Sequence, residues 1–218
     1  KMRQVIFIIT YLFCAQLQAQ LVAPDRQETP ALGTGIRYEN TIYWDIHYVQ
    51  HFKCDATHEA PYYMQLSLST PMYLINTGNK NLHAQFGRQW NKNNWFVNSL
   101  VGVNIFGYED VMANGMGLSA DLSLQGGINK NVWFAGAEIG YKNNIFTTFN
   151  FENPVNDLSA TTQFNTNGNY MIGAFGGFRF LHHFSAQVHL DYQINRDFTA
   201  YPPYTVPYGG GLTLLYHF

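Results

Sequence analysis

The stretch MGLSADLSLQ, Met116 to Gln125, alternates without a fault. Met116, Leu118, Ala120, Leu122 and Leu124 fall on one face of an extended chain, and Gly117, Ser119, Asp121, Ser123 and Gln125 fall on the other. A helix would scatter these residues around its circumference, whereas a strand turns alternate side chains to opposite faces. The stretch is therefore a strand with one apolar and one polar face. The next run, VWFAGAEIGY (132–141), sets Trp133, Ala135, Ala137, Ile139 and Tyr141 against a row containing Gly136, Glu138 and Gly140, with Phe134 as an apolar intruder. Between them GGINKN (126–131) reads as a turn, which makes the pair a hairpin.

The same reading recurs along the chain. It predicts strands over 33–38 and 42–48, turning at Glu39 and Asn40, then over 62–74, a weaker one over 82–90, and others over 95–105, 170–180, 184–194 and 209–218. With the hairpin above, these make ten strands. If 33–49 were one long strand the count would be nine, and eight strands with an unassigned remainder is the alternative.

Charged residues make up 12% of the chain against roughly 25% in ordinary soluble domains, and aromatic residues reach 17%. Such a surface is not built for bulk water alone. The formal net charge is −2 with no basic cluster, which excludes the electrostatic footprint of a nucleic-acid binder. Residues 1–19, with Lys1 and Arg3 ahead of an apolar run from Val5 to Ala15, read as a secretory signal peptide cleaved after Ala19. Residues 20–32 are then a periplasmic N-terminal segment. Cys14 belongs to the apolar run, so Cys54 alone remains and no intramolecular disulfide can form.

No later stretch is long enough for a membrane helix. The alternation therefore fits either a soluble β-sandwich or a membrane barrel, and three features favour the barrel. Aromatic residues gather near the predicted strand ends, at Trp44, Tyr62, Tyr63, Trp90, Trp95, Trp133, Tyr141, Tyr170, Phe180, Phe184 and Phe218, as interfacial girdles would require. Short connections (91–94, 126–131, 181–183) alternate with longer ones (106–114, 142–169, 195–207), as periplasmic turns alternate with external loops. The last strand, GGGLTLLYHF, places Leu212, Leu214, Tyr216 and Phe218 on one face and Gly211, Thr213 and His217 on the other, with Leu215 the exception. This ending resembles the signal by which outer-membrane barrels are recognised by the barrel-insertion machinery. Over residues 33–218 the chain resembles the small outer-membrane β-barrel proteins of Gram-negative envelopes. The resemblance implies an all-β, closed antiparallel transmembrane barrel, set in outer-membrane lipid and exported through its signal peptide. Pro71 inside a strand and a longish periplasmic connection at 53–61 are the departures.

The polar rows supply Asp45, His47, Asp121, Glu138, Arg179, His189 and Asp191, which in a narrow barrel point into the lumen. Mixed charges there either pair and plug it or line a narrow solute path. A packed, hydrogen-bonded interior is the leading reading, and inward glycines at 117, 136, 140, 173 and 177, which remove side-chain volume, keep the path open as the alternative. His183-Phe184-Ser185 resembles the His-x-Ser of outer-membrane lipid A deacylases, with Ala186 where that family carries Asn. His51, Cys54, His58 and Glu59 carry ligand types without a recognised zinc spacing, so neither a metal nor another cofactor is expected. Tyr201, Tyr204 and Tyr208, within the proline-rich YPPYTVPY, form a stiff aromatic surface for an extracellular ligand or protein partner. The leading expectation is a non-enzymatic envelope scaffold or surface-binding module. A narrow channel is the alternative, and a lipid A hydrolase a lower one.

Overall fold

The computed structural model describes residues 30–39, 41–52, 62–72, 78–109, 113–153, 158–163, 168–194 and 208–218. Its strands are β1 (Ala31–Glu39), β2 (Thr41–Phe52), β3 (Tyr62–Pro71), β4 (Gly78–Lys92), β5 (Trp95–Glu109), β6 (Ala113–Asn129), β7 (Trp133–Asn153), β8 (Leu158–Gln163), β9 (Asn169–Phe180), β10 (Phe184–Ile194) and β11 (Tyr208–His217). Each pairs antiparallel with its neighbour, and ten of them close a ring in the order β1 to β7, then β9, β10 and β11, with β11 returning to β1. The short β8 lies outside the ring and pairs only along the far end of β7, from Thr148 to Asn153.

Closure runs along the whole of both terminal strands, from Ala31 opposite His217 to Tyr38 opposite Gly210. One backbone bond carries it further, from Phe218 N to Pro30 O at 3.0 Å, while His217 N donates to His183 O at 2.7 Å on the β10 side of β11. The ring therefore presents no open edge along this seam, which is what a sheet in hydrocarbon needs.

The two faces separate as the alternation requires. Val101, Ile105, Leu122, Ile139, Leu190 and Leu212 are all more than half exposed on the outside, while Gln65, Gln89, Asn98, Ser119 and Gln125 are fully buried inside. In a soluble protein this would be an inverted molecule. Rings cover the outer wall near the strand ends, with Tyr62 against Phe86, Phe180 against Phe184, Phe184 against Tyr216 and Tyr216 against Phe218 at one end, and Tyr141 against Tyr170 and Tyr192 against Tyr208 at the other. Tyr63 corrects the expected girdle. Adjacent residues of a strand cannot share a face, and Tyr63 points inward with no exposure beside its outward neighbour Tyr62.

Several boundaries also differ from the sequence pattern: β5 continues to Glu109, β6 begins at Ala113, β7 continues to Asn153 and β8 follows it, all within stretches read as connections (106–114 and 142–169), because strand pairing runs on beyond the apolar rows. The glycines at 126 and 127 are strand, not turn: β6 stays paired to Asn129, with Gly127 opposite Gly136. A Cβ on Gly127 would run into the Ala135 carbonyl, so only glycine allows this approach. Pro71 closes β3, where its missing N–H costs no interior ladder bond, and Met72 N resumes pairing to Ile42 O at 2.8 Å. The predicted signal peptide, the 20–29 part of the N-terminal segment, Cys54, His58, Glu59, Tyr201 and Tyr204 lie outside the described residues.

The inward glycines do not leave a hole. Phe106 lies over Gly117, Phe175 over Gly136 and Phe134 over Gly177, each ring on its directly paired partner, while Met171 and Asp191 stand against Gly140 and Gly173. The expectation that these glycines open a path is corrected: each makes room for a side chain of the facing strand. Gly117→Ala should therefore lower stability by about 1–3 kcal/mol through overpacking. Because Phe106 is the neighbour a Cβ would meet there, the loss should largely vanish in a Phe106→Ala background, which a double-mutant cycle of urea unfolding in lipid measures.

Candidate functional site

The lumen is the one place where the ring brings polar groups together, and it is layered. At the end with short turns, Phe96, Phe134, Phe175 and Leu215 from four different strands form a buried apolar cluster. The rings of Phe96 and Phe175 meet at 6.0 Å, and the Arg179 guanidinium sits 5.1 Å over Phe134. Tyr63 and Leu100 form a second apolar contact inside the wall. Phe134 and Leu215, the two residues that break the alternation in their strands, are both members of the plug. Their inward direction follows from strand parity, and the apolar company that makes it favourable comes from β5 and β9.

Above the plug the polar side chains pair across strands. Arg37 Nε donates to Asp45 Oδ2 at 3.1 Å, and its guanidinium lies 4.6 Å over the Tyr43 ring. Gly35 stands directly opposite Asp45, so Arg37 reaches diagonally across a position without a side chain. His47 Nδ1 is 3.0 Å from Ser67 Oγ, to which Gln65 Nε2 also donates at 3.1 Å. Asn98 Nδ2 donates to Gln125 Oε1, and Gln125 Nε2 donates to Glu138 Oε2, both at 3.1 Å. This chain links β5, β6 and β7.

The bond between His83 and Asp121 skips a strand. His83 Nε2 donates to Asp121 Oδ1 at 2.8 Å and Gln85 Nε2 to Asp121 Oδ2 at 3.2 Å, although β4 and β6 are separated by β5. Gly102 of β5 lies between them, and a Cβ there would come within 2.7 Å of the His83 ring nitrogen. The missing side chain is the gap through which the pair forms.

All seven lumen residues read from the sequence lie on inward rows. Asp45, His47, Asp121 and Glu138 enter the pairs above, and His189 and Asp191 are buried on β10. Arg179 sits lower, at the short-turn end. It donates to Lys130 O at 2.7 Å and Asn129 Oδ1 at 2.9 Å, tying β9 to the β6–β7 turn. The partners that sequence reasoning missed are Arg37, His83, Gln85 and Gln125. Each sits at an inward position of its strand, but partnership across strands depends on register, which a single strand does not carry.

Two small cavities lie among the described lumen residues. A cavity of about 20 Å³ lies among Arg37, Asp45, His47, Asn81, His83 and Asn104, and another of about 30 Å³ lies beside Asp121, Lys142 and Met171. Each has room for about one or two waters. Among the described residues no group of His, Cys, Asp and Glu could hold a metal ion.

The His-x-Ser pair does not assemble as a nucleophile and base. His183 Nδ1 donates to the His217 carbonyl at 3.0 Å, while Ser185 Oγ lies 2.9 Å from His217 Nε2 inside the lumen, fully buried. Tyr208, at the start of β11, stacks on Tyr192 at 6.3 Å and so extends the girdle.

His83→Ala should lower stability towards unfolding by about 1–3 kcal/mol, the size expected when a buried acceptor loses its hydrogen-bond donor. Gly102→Val should cost a comparable amount by separating the same pair. The two together should cost less than their sum, as urea unfolding of the single and double variants would show.

No protein-family model matches the sequence, and no curated protein is similar to it at the level of sequence. Similar solved structures include Ail, the attachment invasion locus protein of Yersinia pestis, at 11% identity, covering 88% of this chain and 99% of that one with a TM-score of 0.39. The translocator domain of autotransporter NalP from Neisseria meningitidis is 12% identical, covers 87% of each chain and gives a TM-score of 0.47. The KdgM porin is 4% identical over 86% of this chain and 99% of its own, with a TM-score of 0.37. The closed ring, its apolar outer wall, its polar filled lumen and its aromatic ends make the chain a small β-barrel membrane protein of the outer-membrane type.

Proposed function

We propose that the protein is an outer-membrane anchor that displays a binding surface at its long-loop end, with the lumen serving as packed core. The observation that carries this reading is the length of the strands on one side of the ring. β7 has 21 residues and β6 has 17, whereas a tilted strand crosses a membrane with about 9–11. The β6–β7 ladder continues to Ala113 opposite Phe151, past an irregularity at Leu118/Ser119, and β8 adds a third strand along the overhang. A three-stranded platform standing beyond the apolar band serves no need of membrane insertion. It has the position of a surface on which an extracellular ligand or protein partner would dock.

Outer-membrane barrels carry short turns on the periplasmic side, so the β4–β5, β6–β7 and β9–β10 turns would face the periplasm. Export through the N-terminal signal peptide and insertion through the β11 motif of Leu212, Leu214, Tyr216 and Phe218 complete the reading. The channel alternative would need a continuous path, and the aromatic plug with cavities of one or two waters supports a closed lumen instead. The hydrolase alternative would need Ser185 to meet a lipid substrate, and its hydroxyl faces the lumen against His217.

An epitope inserted between Asn153 and Leu158 should be labelled on intact cells. Labelling only after the outer membrane is permeabilised would overturn the orientation. Purified protein, verified as folded by a mobility shift in SDS on boiling, should give no discrete conductance steps in a planar bilayer. Reproducible steps would favour the channel.

A further inference from the structure

The outer wall carries one arginine that the barrel itself does not explain. On β4 the outward row near the short-turn end runs Phe86, Arg88, Trp90 and Lys92, while the inward neighbours Gly87 and Gln89 are buried. Arg88 is thus on the lipid side, four residues in from the strand end. That places it about 9 Å into the wall at a rise near 3.3 Å per residue and a tilt near 45°. A guanidinium is unwelcome on a lipid face unless it reaches the headgroup zone or an anion.

The surroundings of Arg88 are built rather than incidental. Strand register sets Tyr62 of β3, Arg88 of β4 and Ser99 of β5 in one line across the wall. Ser99 is the one polar side chain among the outward residues of β5 from Trp95 to Ile105. The Arg88 guanidinium carbon lies 5.1 Å from the centre of the Tyr62 ring and 5.2 Å from that of Trp90. Two aromatic faces therefore hold the planar cation in place by cation–π attraction and stacking. No carboxylate among the described residues forms a salt bridge with it, and its Nε has no hydrogen-bond partner there. A cation held between rings, with Tyr62 and Ser99 as its register partners on either side and Lys92 at the strand end, has its two terminal nitrogens to offer an anionic oxygen cluster, since its Nε is buried.

We infer that Arg88, with Tyr62 and Ser99 beside it and Trp90 as its platform, binds the phosphate of a membrane phospholipid in the leaflet at the short-turn end. The guanidinium fork matches the non-bridging oxygens of a phosphodiester. Phe86, Val101 and Leu122, one paired row further from the short turns and all outward and exposed, provide the apolar wall along which the acyl chains of the same lipid would lie. This combination selects a lipid rather than free phosphate, because the anion site opens onto hydrocarbon. The inference needs only a bilayer around the barrel, so it stands or falls separately from what the long-loop end binds.

The test is native mass spectrometry of the full barrel released from micelles containing either phosphatidylglycerol or diacylglycerol with the same chains. The wild-type protein should retain phosphatidylglycerol and not diacylglycerol, a comparison that needs no variant. Arg88→Gln should weaken retention about tenfold, the loss expected for a charge-assisted bond of about 1.5 kcal/mol or more, and Arg88→Lys should keep part of it. Inorganic phosphate at millimolar concentration should not displace the lipid. Equal retention of the two lipids by wild type, or unchanged phosphatidylglycerol retention in a folded Arg88→Gln barrel, would overturn the site. Displacement by inorganic phosphate would overturn the assignment to a lipid.

Discussion

Everything in this molecule depends on the pairing of β1 with β11. In hydrocarbon each unmade backbone hydrogen bond costs several kcal/mol, so a sheet with two free edges would not survive there. Antiparallel pairing from Ala31 opposite His217 to Tyr38 opposite Gly210 converts the sheet into a ring. Once it is closed, every strand of the ring has two partners, and inside and outside become different solvents. The glycines at 33 and 35 belong to this seam. A Cβ on either would press on a carbonyl of β11, within 2.8 Å at Gly33 and 2.9 Å at Gly35.

Closure then creates the problem of filling a narrow interior, and the chain solves it in two ways. Toward the short turns it uses aromatic rings laid on glycines of the neighbouring strand, so that large and small side chains alternate around the wall and interdigitate. Higher up it uses polar side chains that satisfy one another across two or three strands. The Asn98–Gln125–Glu138 chain and the His83–Asp121 bond over Gly102 belong to this second device. The His83–Asp121 bond shares with the aromatic rings one feature, a residue without a side chain opposite or between larger ones.

Much of this architecture was legible beforehand in the residues themselves. Unbroken alternation in Met116–Gln125 and Phe184–Ile194 identified which side chains meet lipid and which meet the lumen, and those assignments match the burial on β6 and β10. The overhang falls in the 142–169 stretch, which reads in the sequence as a long connection because its apolar and polar residues do not alternate cleanly. Tyr63 was misread because aromatic residues near a strand end look alike whichever way they point, until the parity of the strand is applied. Gly126 and Gly127 were misread because glycine marks both a turn and a close strand contact. The inward glycines were read as space because the sequence shows an absence of volume and not what moves into it.

The sequence by itself determined the class of the fold and the two faces of each strand, since alternation with period two is a local property that any extended segment carries alone. Only the tertiary structure decided which side chains meet: Phe106 on Gly117, His83 with Asp121, Ser185 with His217, and Tyr62, Arg88 and Ser99 in one row. Those neighbours are set by register and closure. Sliding one strand by two residues would preserve every face in the sequence pattern and replace every partner across it.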